Sequence, residues 1–257
     1  MRFHKYSSTG NDFIIFDHNE EFKNELPSKE WVQKICQRRA SVGADGLILV
    51  RKVEVGVVEM TYFNADGGVV EMCGNGLRAV GRYCKEILKV LKGNNLQVKT
   101  MNSAYDLQIQ DFMNIKIRMA EIDDGELHLA GMYDAKYLVV GVPHVVKEVD
   151  CLKNFPLDMA KEIRHDTAFL DGTNVNFFQR IGSDEIRVRT FERGVESETL
   201  SCGTGVTACG YLFLQESDIS RVHVQTEGGQ LTVSRVGRDV FLQGPSELIF
   251  EGNFHQF

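Results

Sequence analysis

Two cysteines stand in the same surroundings. Cys73-Gly-Asn-Gly-Leu-Arg-Ala-Val-Gly81 matches Cys202-Gly-Thr-Gly-Val-Thr-Ala-Cys-Gly210, keeping Cys, Gly, Gly, Ala and Gly in register. Each copy follows an extended run and a turn: Thr61-Tyr-Phe63 before Asn64-Ala-Asp-Gly67, and Arg189-Thr-Phe191 before Glu192-Arg-Gly194. Each cysteine therefore reads as the residue that starts a helix, followed by nearly bare backbone. The first N–H groups of a helix lack internal partners and carry the positive end of its dipole. A thiolate is stabilised there, cysteine pKa values falling from about 8.5 to roughly 3.5–7.5 in such positions. A carboxylate can also be held by the N–H groups of Gly74, Asn75 and Gly76, and of Gly203, Thr204 and Gly205.

If both helix starts meet one substrate, its carboxylate lies between them with a thiol on either side of the α-carbon. That arrangement suits two-base stereoinversion, in which one thiolate removes the α-proton and the opposite thiol delivers another. Dipoles fixed toward the carboxylate where charge develops would supply the stabilisation that a weakly acidic α-hydrogen requires. A lone cysteine in a glycine-rich turn is usually a small buried residue, but that reading does not predict a duplicated context. A dinucleotide fingerprint is disfavoured, because the glycines fall some ten residues after the strand and the next strand ends at Thr100 without an acid. Cys36, Cys84 and Cys209 sit on apolar helical faces and read as core, while Cys151 gives no signal.

These cysteines must be positioned by a strand-rich chain. Runs of four to eight residues at Phe13 to Phe16, Leu47 to Val50, Val57 to Phe63, Leu96 to Lys99, Asn114 to Met119, Tyr137 to Val140, Ile186 to Phe191, Val222 to Thr226, Leu231 to Val236 and Val240 to Gln243 read as strands. Helices are expected between Pro27 and Arg39 with Ser28 as N-cap, from Leu157 to Arg164, from Gly74 onward and from Gly203 to Gln215. The helix at Gly74 carries an apolar stripe (Leu77, Val80, Gly81, Cys84, Ile87, Leu88, Leu91), with Arg78, Arg82, Lys85 and Lys89 expected on a solvated face. The helix at Gly203 is apolar nearly all round and should be enclosed by sheet. A third, shorter echo pairs Thr9-Gly-Asn-Asp-Phe13 with Thr173-Asn-Val-Asn-Phe177. The chain thus reads as two diverged copies of one domain. The seam is expected near Met119, before Glu121-Ile-Asp-Asp-Gly125: residues 1–118, completed by 247–257, form one half, and 119–246 the other.

Composition narrows the partners. The 257 residues carry a formal charge of −7, with 43% hydrophobic and 25% charged residues. No Lys/Arg block offers a polyanion a footprint, so nucleic acid is not an expected partner. No apolar run of about 18 residues suits a membrane span, and the start lacks signal-peptide order, so a cytoplasmic location with reduced cysteines is expected.

The chain resembles the diaminopimelate epimerases of the cofactor-independent, proline racemase-like group. The resemblance runs nearly end to end, through Gly10-Asn-Asp-Phe13, Gly43-Ala-Asp-Gly-Leu47, Phe63-Asn-Ala-Asp-Gly67, Met72-Cys-Gly-Asn-Gly76, Pro143-His144, Asn174-Val-Asn-Phe177, Glu192-Arg-Gly194 and Thr199-Leu-Ser-Cys-Gly-Thr-Gly205. It implies an α+β fold of two pseudo-symmetric domains, each a curved, mainly antiparallel sheet wrapped around a central helix, with the active site in the inter-domain cleft. It also implies interconversion of LL- and meso-2,6-diaminopimelate without pyridoxal phosphate or metal, in lysine and peptidoglycan precursor biosynthesis, and a homodimer. By resemblance, Cys73 and Cys202 are the acid/base pair, and backbone at Gly74, Asn75, Gly76, Gly203 and Thr204 holds the reacting carboxylate. Glu192 and the Arg193 carbonyl receive the reacting amino group, with His144 nearby. Asn11, Asn64, Asn174 and the Arg193 side chain grip the distal end. Without the resemblance, Asn11 and Asn64 read as turn devices, His144 as a satisfied core histidine and Glu192-Arg193 as solvated charge. Two departures stand out: Gly141-Val-Pro-His144 has Val142 where the family commonly has Asn, and the loop from Glu192 to Cys202 is one residue longer than usual. The remaining alternatives are a proline or hydroxyproline epimerase, a dithiol redox protein and a non-catalytic amino-acid-binding protein.

Overall fold

The computed structural model describes residues 1–23, 25–124, 133–170 and 172–255. Gly125 of the acidic turn and residues 256–257 lie outside them. The chain divides into two compact units, Met1–Ile117 with Gly244–Phe257, and Arg118–Gln243. Among the described residues no helix is long and apolar enough to cross a membrane.

In the first unit β1 (Arg2–Ser8) and β2 (Asn11–Asp17) form a hairpin. Its two central residues, Thr9 and Gly10, both have positive φ (51° and 86°), as a two-residue hairpin turn requires. Asn11 is thereby placed at the first position of β2. The short α1 (His18–Phe22), capped by Asp17, and α2 (Lys29–Cys36) follow. Ser28 caps α2 as expected, accepting from the Trp31 N–H at 3.2 Å, and Val32, Ile35 and Cys36 are buried. β3 (Gly46–Glu54) runs parallel to β2, and β4 (Val57–Asn64) pairs antiparallel with β3. After the short β5 (Val69–Val70), α3 (Gly74–Tyr83) crosses to β6 (Asn95–Lys99), parallel to β4. β7 (Ala104–Ile109) and β8 (Ile115–Arg118) continue antiparallel, and the strand Glu247–Asn253 returns to pair with β1.

The second unit repeats this order. β9 (Lys136–Val140) pairs antiparallel with β10 (Val142–Glu148), and α4 (Leu157–Arg164) crosses to β11 (Asn174–Arg180), parallel to β10. β12 (Glu185–Glu192) is antiparallel to β11. After β13 (Ser197–Thr199), α5 (Gly203–Gln215) crosses to β14 (Arg221–Thr226), parallel to β12, with β15 (Gly229–Val236) and β16 (Asp239–Gly244) following antiparallel. The parallel pairs β2/β3, β4/β6, β10/β11 and β12/β14 are the steps that need crossover connections, and the second and fourth crossovers carry α3 and α5. In each unit, then, a cysteine starts the helix that links two parallel strands.

Phe63 pairs with Val69, six positions on, whereas Phe191 pairs with Glu198, seven positions on, so the β12–β13 turn is one residue longer than the β4–β5 turn, and within it Glu196 has φ 58°. The third echo is not a structural equivalence. Asn11 heads β2, whose counterpart is β10, whereas Asn174 heads β11, the counterpart of β3.

Both helices are enclosed. α5 packs against β9, β10, β11, β12, β14 and β15, and every residue from Gly203 to Gly210 is buried, as its all-round apolarity requires. α3 corrects the sequence expectation, because every residue from Gly74 to Gly81 is buried, Arg78 completely. A Cβ on Gly81 would lie 3.1 Å from Leu107 and 3.2 Å from Ile115, which shows how tightly β7 and β8 close over the face expected to pack. On the other face Arg78 is accommodated by hydrogen bonds, and Arg82 donates to the Ser246 carbonyl at 2.6 Å and to Glu86 at 3.0 Å. The helix ends in a single π-turn over Cys84–Leu88.

Candidate active site

Each unit presents its own cluster. In the first, Cys73 is the N-cap of α3 with extended backbone (φ −144°, ψ 113°), and its Sγ accepts from the Gly76 N–H at 3.4 Å. The thiol is half-buried, whereas Gly74, Asn75 and Gly76 are buried. Asn11 faces Cys73 from the start of β2: its Oδ1 accepts from the Cys73 S–H at 3.7 Å and from Asn75 Nδ2 at 3.3 Å. The amide orientation of Asn11 is set from behind, where its Nδ2 donates to Asp45 Oδ2 at 2.9 Å. Asp45 is held by Arg38 at 2.8 Å, and Arg38 also grips Asp12, which pairs with Lys5 at 2.8 Å. Burial pushes the Asp12 carboxyl upward, but hydrogen bonds from Arg38 and Lys5 outweigh it and hold the group ionised, well below the usual range. Asn64 is exposed at the end of β4, its carbonyl accepting from Gly67 N–H at 2.9 Å in the following turn.

In the second unit Cys202 is the N-cap of α5 (φ −111°, ψ 112°), buried, with Sγ 3.5 Å from Thr204 Oγ1. Gly203 and Thr204 are buried, and Thr207 Oγ1 donates to the Gly203 carbonyl at 2.8 Å. The helix start lies against β11 and β12 so closely that a Cβ on Gly205 would lie 2.2 Å from Asn176 Oδ1 and 3.1 Å from Thr190 Oγ1. Only glycine fits that approach. Asn176 is in turn held by three contacts: its Nδ2 donates to the Val145 carbonyl (3.0 Å) and meets His144 Nδ1 (3.1 Å), and its Oδ1 accepts from Thr190 (3.0 Å). His144 is completely buried, and burial, helped by the Arg193 charge, draws its pKa down to about 3. Its imidazole is therefore neutral at physiological pH, with Nε2 buried and making no hydrogen bond within the described residues. Asn174 Oδ1 accepts from the Arg193 N–H at 2.9 Å, and its Nδ2 donates to the Pro143 carbonyl at 3.0 Å. Each end of that amide keeps one further hydrogen-bond valence. Glu192, half-buried at the end of β12, accepts from Thr199 Oγ1 at 2.9 Å.

The structure thus brings Cys73, Gly74, Asn75, Gly76 and Asn11 together in the first unit, with Asn64 at the neighbouring strand end. In the second it brings together Cys202, Gly203 and Thr204 at the helix start, and Asn174, Glu192, Arg193 and His144 at the strand ends. Three supporting residues carried no assigned role from sequence, Asp45, Asn176 and Thr190, and a fourth, Arg78, was expected on a solvated face and is buried. Asn176 was recoverable in part, because Asn174-Val-Asn176 places two amides on one face of a strand. Among the described residues no group of three or more His, Cys, Asp or Glu is disposed to hold a metal ion.

Comparison with known proteins agrees with this architecture. The fold is that of a phenazine biosynthesis protein of the PhzF family from Bacillus anthracis (TM-score 0.72, 16% identity, 98% of both chains). It is also that of a probable proline racemase from Agrobacterium radiobacter K84 (TM-score 0.67, 10% identity, 99% of this chain and 92% of that one). The class is therefore the α+β fold that these proteins share, built here from two units of like strand and helix order. Sequence is more specific. The diaminopimelate epimerase family model matches residues 3–123 and 136–249, and the diaminopimelate epimerase of Hydrogenobaculum sp. (strain Y04AAS1) is 37% identical over 270 residues, covering 96% of each chain. The chain belongs to the diaminopimelate epimerase family.

Proposed function

We propose that Cys73 and Cys202 are the two bases with which this amino-acid epimerase interconverts LL- and meso-2,6-diaminopimelate, in lysine biosynthesis. The observation that carries the reading is the repeated helix start. In each unit a cysteine caps an enclosed helix, and the next residues offer backbone N–H groups in a buried setting. One cysteine, as thiolate, takes the α-proton: the Cα–H bond breaks, an S–H bond forms, and the electron pair passes toward the carboxylate. The N–H groups at Asn75, Gly76, Gly203 and Thr204 stabilise the charge that develops there. The other cysteine, as thiol, gives its proton to the opposite face of the α-carbon and becomes the thiolate. The reverse direction exchanges the roles.

Glu192 and the Arg193 carbonyl receive the reacting ammonium, with neutral His144 behind them. Asn11, Asn64, Asn174 and the Arg193 side chain recognise the distal amino-acid end. An Arg fork and amides suit a second carboxylate and ammonium, and should reject analogues that lack them. Val142 offers no side-chain hydrogen bond, so the distal grip rests on the remaining groups. We further read the chain as a cytoplasmic homodimer without a nucleic-acid partner, which sedimentation analysis tests. The function is tested by incubating LL-diaminopimelate with the protein in D2O: the meso isomer should form with deuterium at the inverted centre. Racemisation of proline without action on diaminopimelate would overturn the substrate reading.

A further inference from the structure

Arg78 is one of the largest completely buried side chains of the molecule, and it lies on α3 five positions after Cys73. Its Nη2 donates to Asn75 Oδ1 and to Thr9 Oγ1, both at 2.9 Å, and its Nε donates to the Pro245 carbonyl at 3.1 Å. All three acceptors are neutral, and Nη1 is buried without a hydrogen-bond partner in the described structure. No carboxylate pairs with Arg78 among the described residues. A buried cation lacking a counter-ion is strongly unfavourable unless something nearby takes negative charge.

Its neighbours lead to one group. Arg78 orients the Asn75 amide, Asn75 donates to Asn11 Oδ1, and Asn11 Oδ1 accepts from the Cys73 S–H. By gripping Thr9 it also fixes the hairpin turn that presents Asn11, where a β-branched residue is held at positive φ. Of the other charges around the cluster, Lys5, Asp12, Arg38 and Asp45 compensate one another in their own network, and the Glu71 carboxylate is exposed to solvent.

We propose that Arg78 is a positioning cation for Cys73: its guanidinium stabilises the Cys73 thiolate and, through Asn75, fixes the Asn11 amide oxygen that accepts from the Cys73 thiol when it is protonated. Consistent with this, burial draws the guanidinium down to about 10, which leaves it protonated at neutral pH, and the Cys73 charge opposes that shift. The inference deepens the proposed acid/base role of Cys73 and rests on it only for its meaning in turnover.

The test reads Cys73 directly. Its iodoacetamide alkylation is followed against pH by peptide mass mapping in the wild type, Arg78→Met and Arg78→Lys, with circular dichroism to establish folding. An opposite charge close to a thiol is worth about 1–3 pKa units, so Arg78→Met should slow alkylation at pH 7 by about tenfold and move the profile upward. Arg78→Lys, which keeps the charge, should stay within about threefold of the wild type. Identical profiles for wild type and a folded Arg78→Met would overturn the proposal. Independently of whether that variant folds, the Arg78 Nε resonance of the wild type should shift over the pH range in which Cys73 becomes alkylatable, and lose that inflection in Cys73→Ser. An Arg78 resonance indifferent to Cys73 would overturn it too. Failure of diaminopimelate epimerisation with these results intact would remove the proposed function and leave the Arg78 role standing.

Discussion

Gly205→Ala is the smallest change that probes how α5 is seated. The added methyl would lie 2.2 Å from Asn176 Oδ1, well inside van der Waals contact, and 3.1 Å from Thr190 Oγ1. Asn176 cannot swing aside freely, since it is buried and committed to Val145, His144 and Thr190. Relief must therefore come from breaking those bonds or from lifting the helix start that carries Cys202. Leaving one or two buried polar groups unsatisfied costs about 1–3 kcal/mol each, so a loss of about 3 kcal/mol is expected. At a urea m-value of about 3 kcal/mol/M that moves the midpoint by about 1 M. Gly182→Ala, whose Cβ would meet Glu185 Cβ at 3.3 Å, is the control and should change stability by less than about 1 kcal/mol. The double variant Gly205→Ala/Asn176→Ser should be less destabilised than the sum of its singles, because the clash and the broken bonds share one residue. Unchanged stability and activity in Gly205→Ala would refute the argument that the helix start is wedged against the Asn176 amide.

Other consequences are equally direct. His144 has a folded pKa of about 3 against about 6.5 when unfolded. As pH falls below 6.5 the unfolded chain takes up a proton that the native state refuses, and stability drops. Between pH 7.5 and 5 this amounts to about 2 kcal/mol, which urea titrations should find in the wild type and not in His144→Gln. Ser28→Ala removes the acceptor for the Trp31 N–H at the start of α2 and should cost about 1 kcal/mol with no change in turnover. Burial pushes the Cys209 thiol far above its ordinary value, so alkylation at pH 8 should spare Cys209 and label the exposed Cys151.

Much of this architecture was legible because local pattern and tertiary role coincide. The Ser28 cap, the Leu157–Arg164 helix and the enclosed apolar α5 follow from spacing alone, and the repeated Cys-Gly-x-Gly context singles out both cysteines. The strands β1 and β11 escaped because polar residues interrupt their apolar pattern. His4 and Lys5 are buried in β1, and Asn174 and Asn176 in β11, where side-chain hydrogen bonds to distant backbone offset their burial. Arg78 was misread for a related reason. A helical stripe analysis assumes one buried face, whereas α3 is surrounded, and its cation is accommodated by Thr9 and Pro245, acceptors far away in the chain. Asp45 and Thr190 act through strand pairing and turn geometry, which spacing within one segment does not reveal.

The central claim is that the two helix-capping cysteines, one from each unit, act as separate bases on one carbon. The most direct test is the first few per cent of LL-diaminopimelate conversion in D2O, followed by mass spectrometry and NMR with wild type, Cys73→Ala and Cys202→Ala. Two bases predict that nearly every new meso molecule carries one solvent deuterium while the unreacted LL isomer keeps its α-protium, and that neither variant turns over. Meso product that retains the original α-protium, or epimerisation sustained by either single alanine variant, would contradict the account.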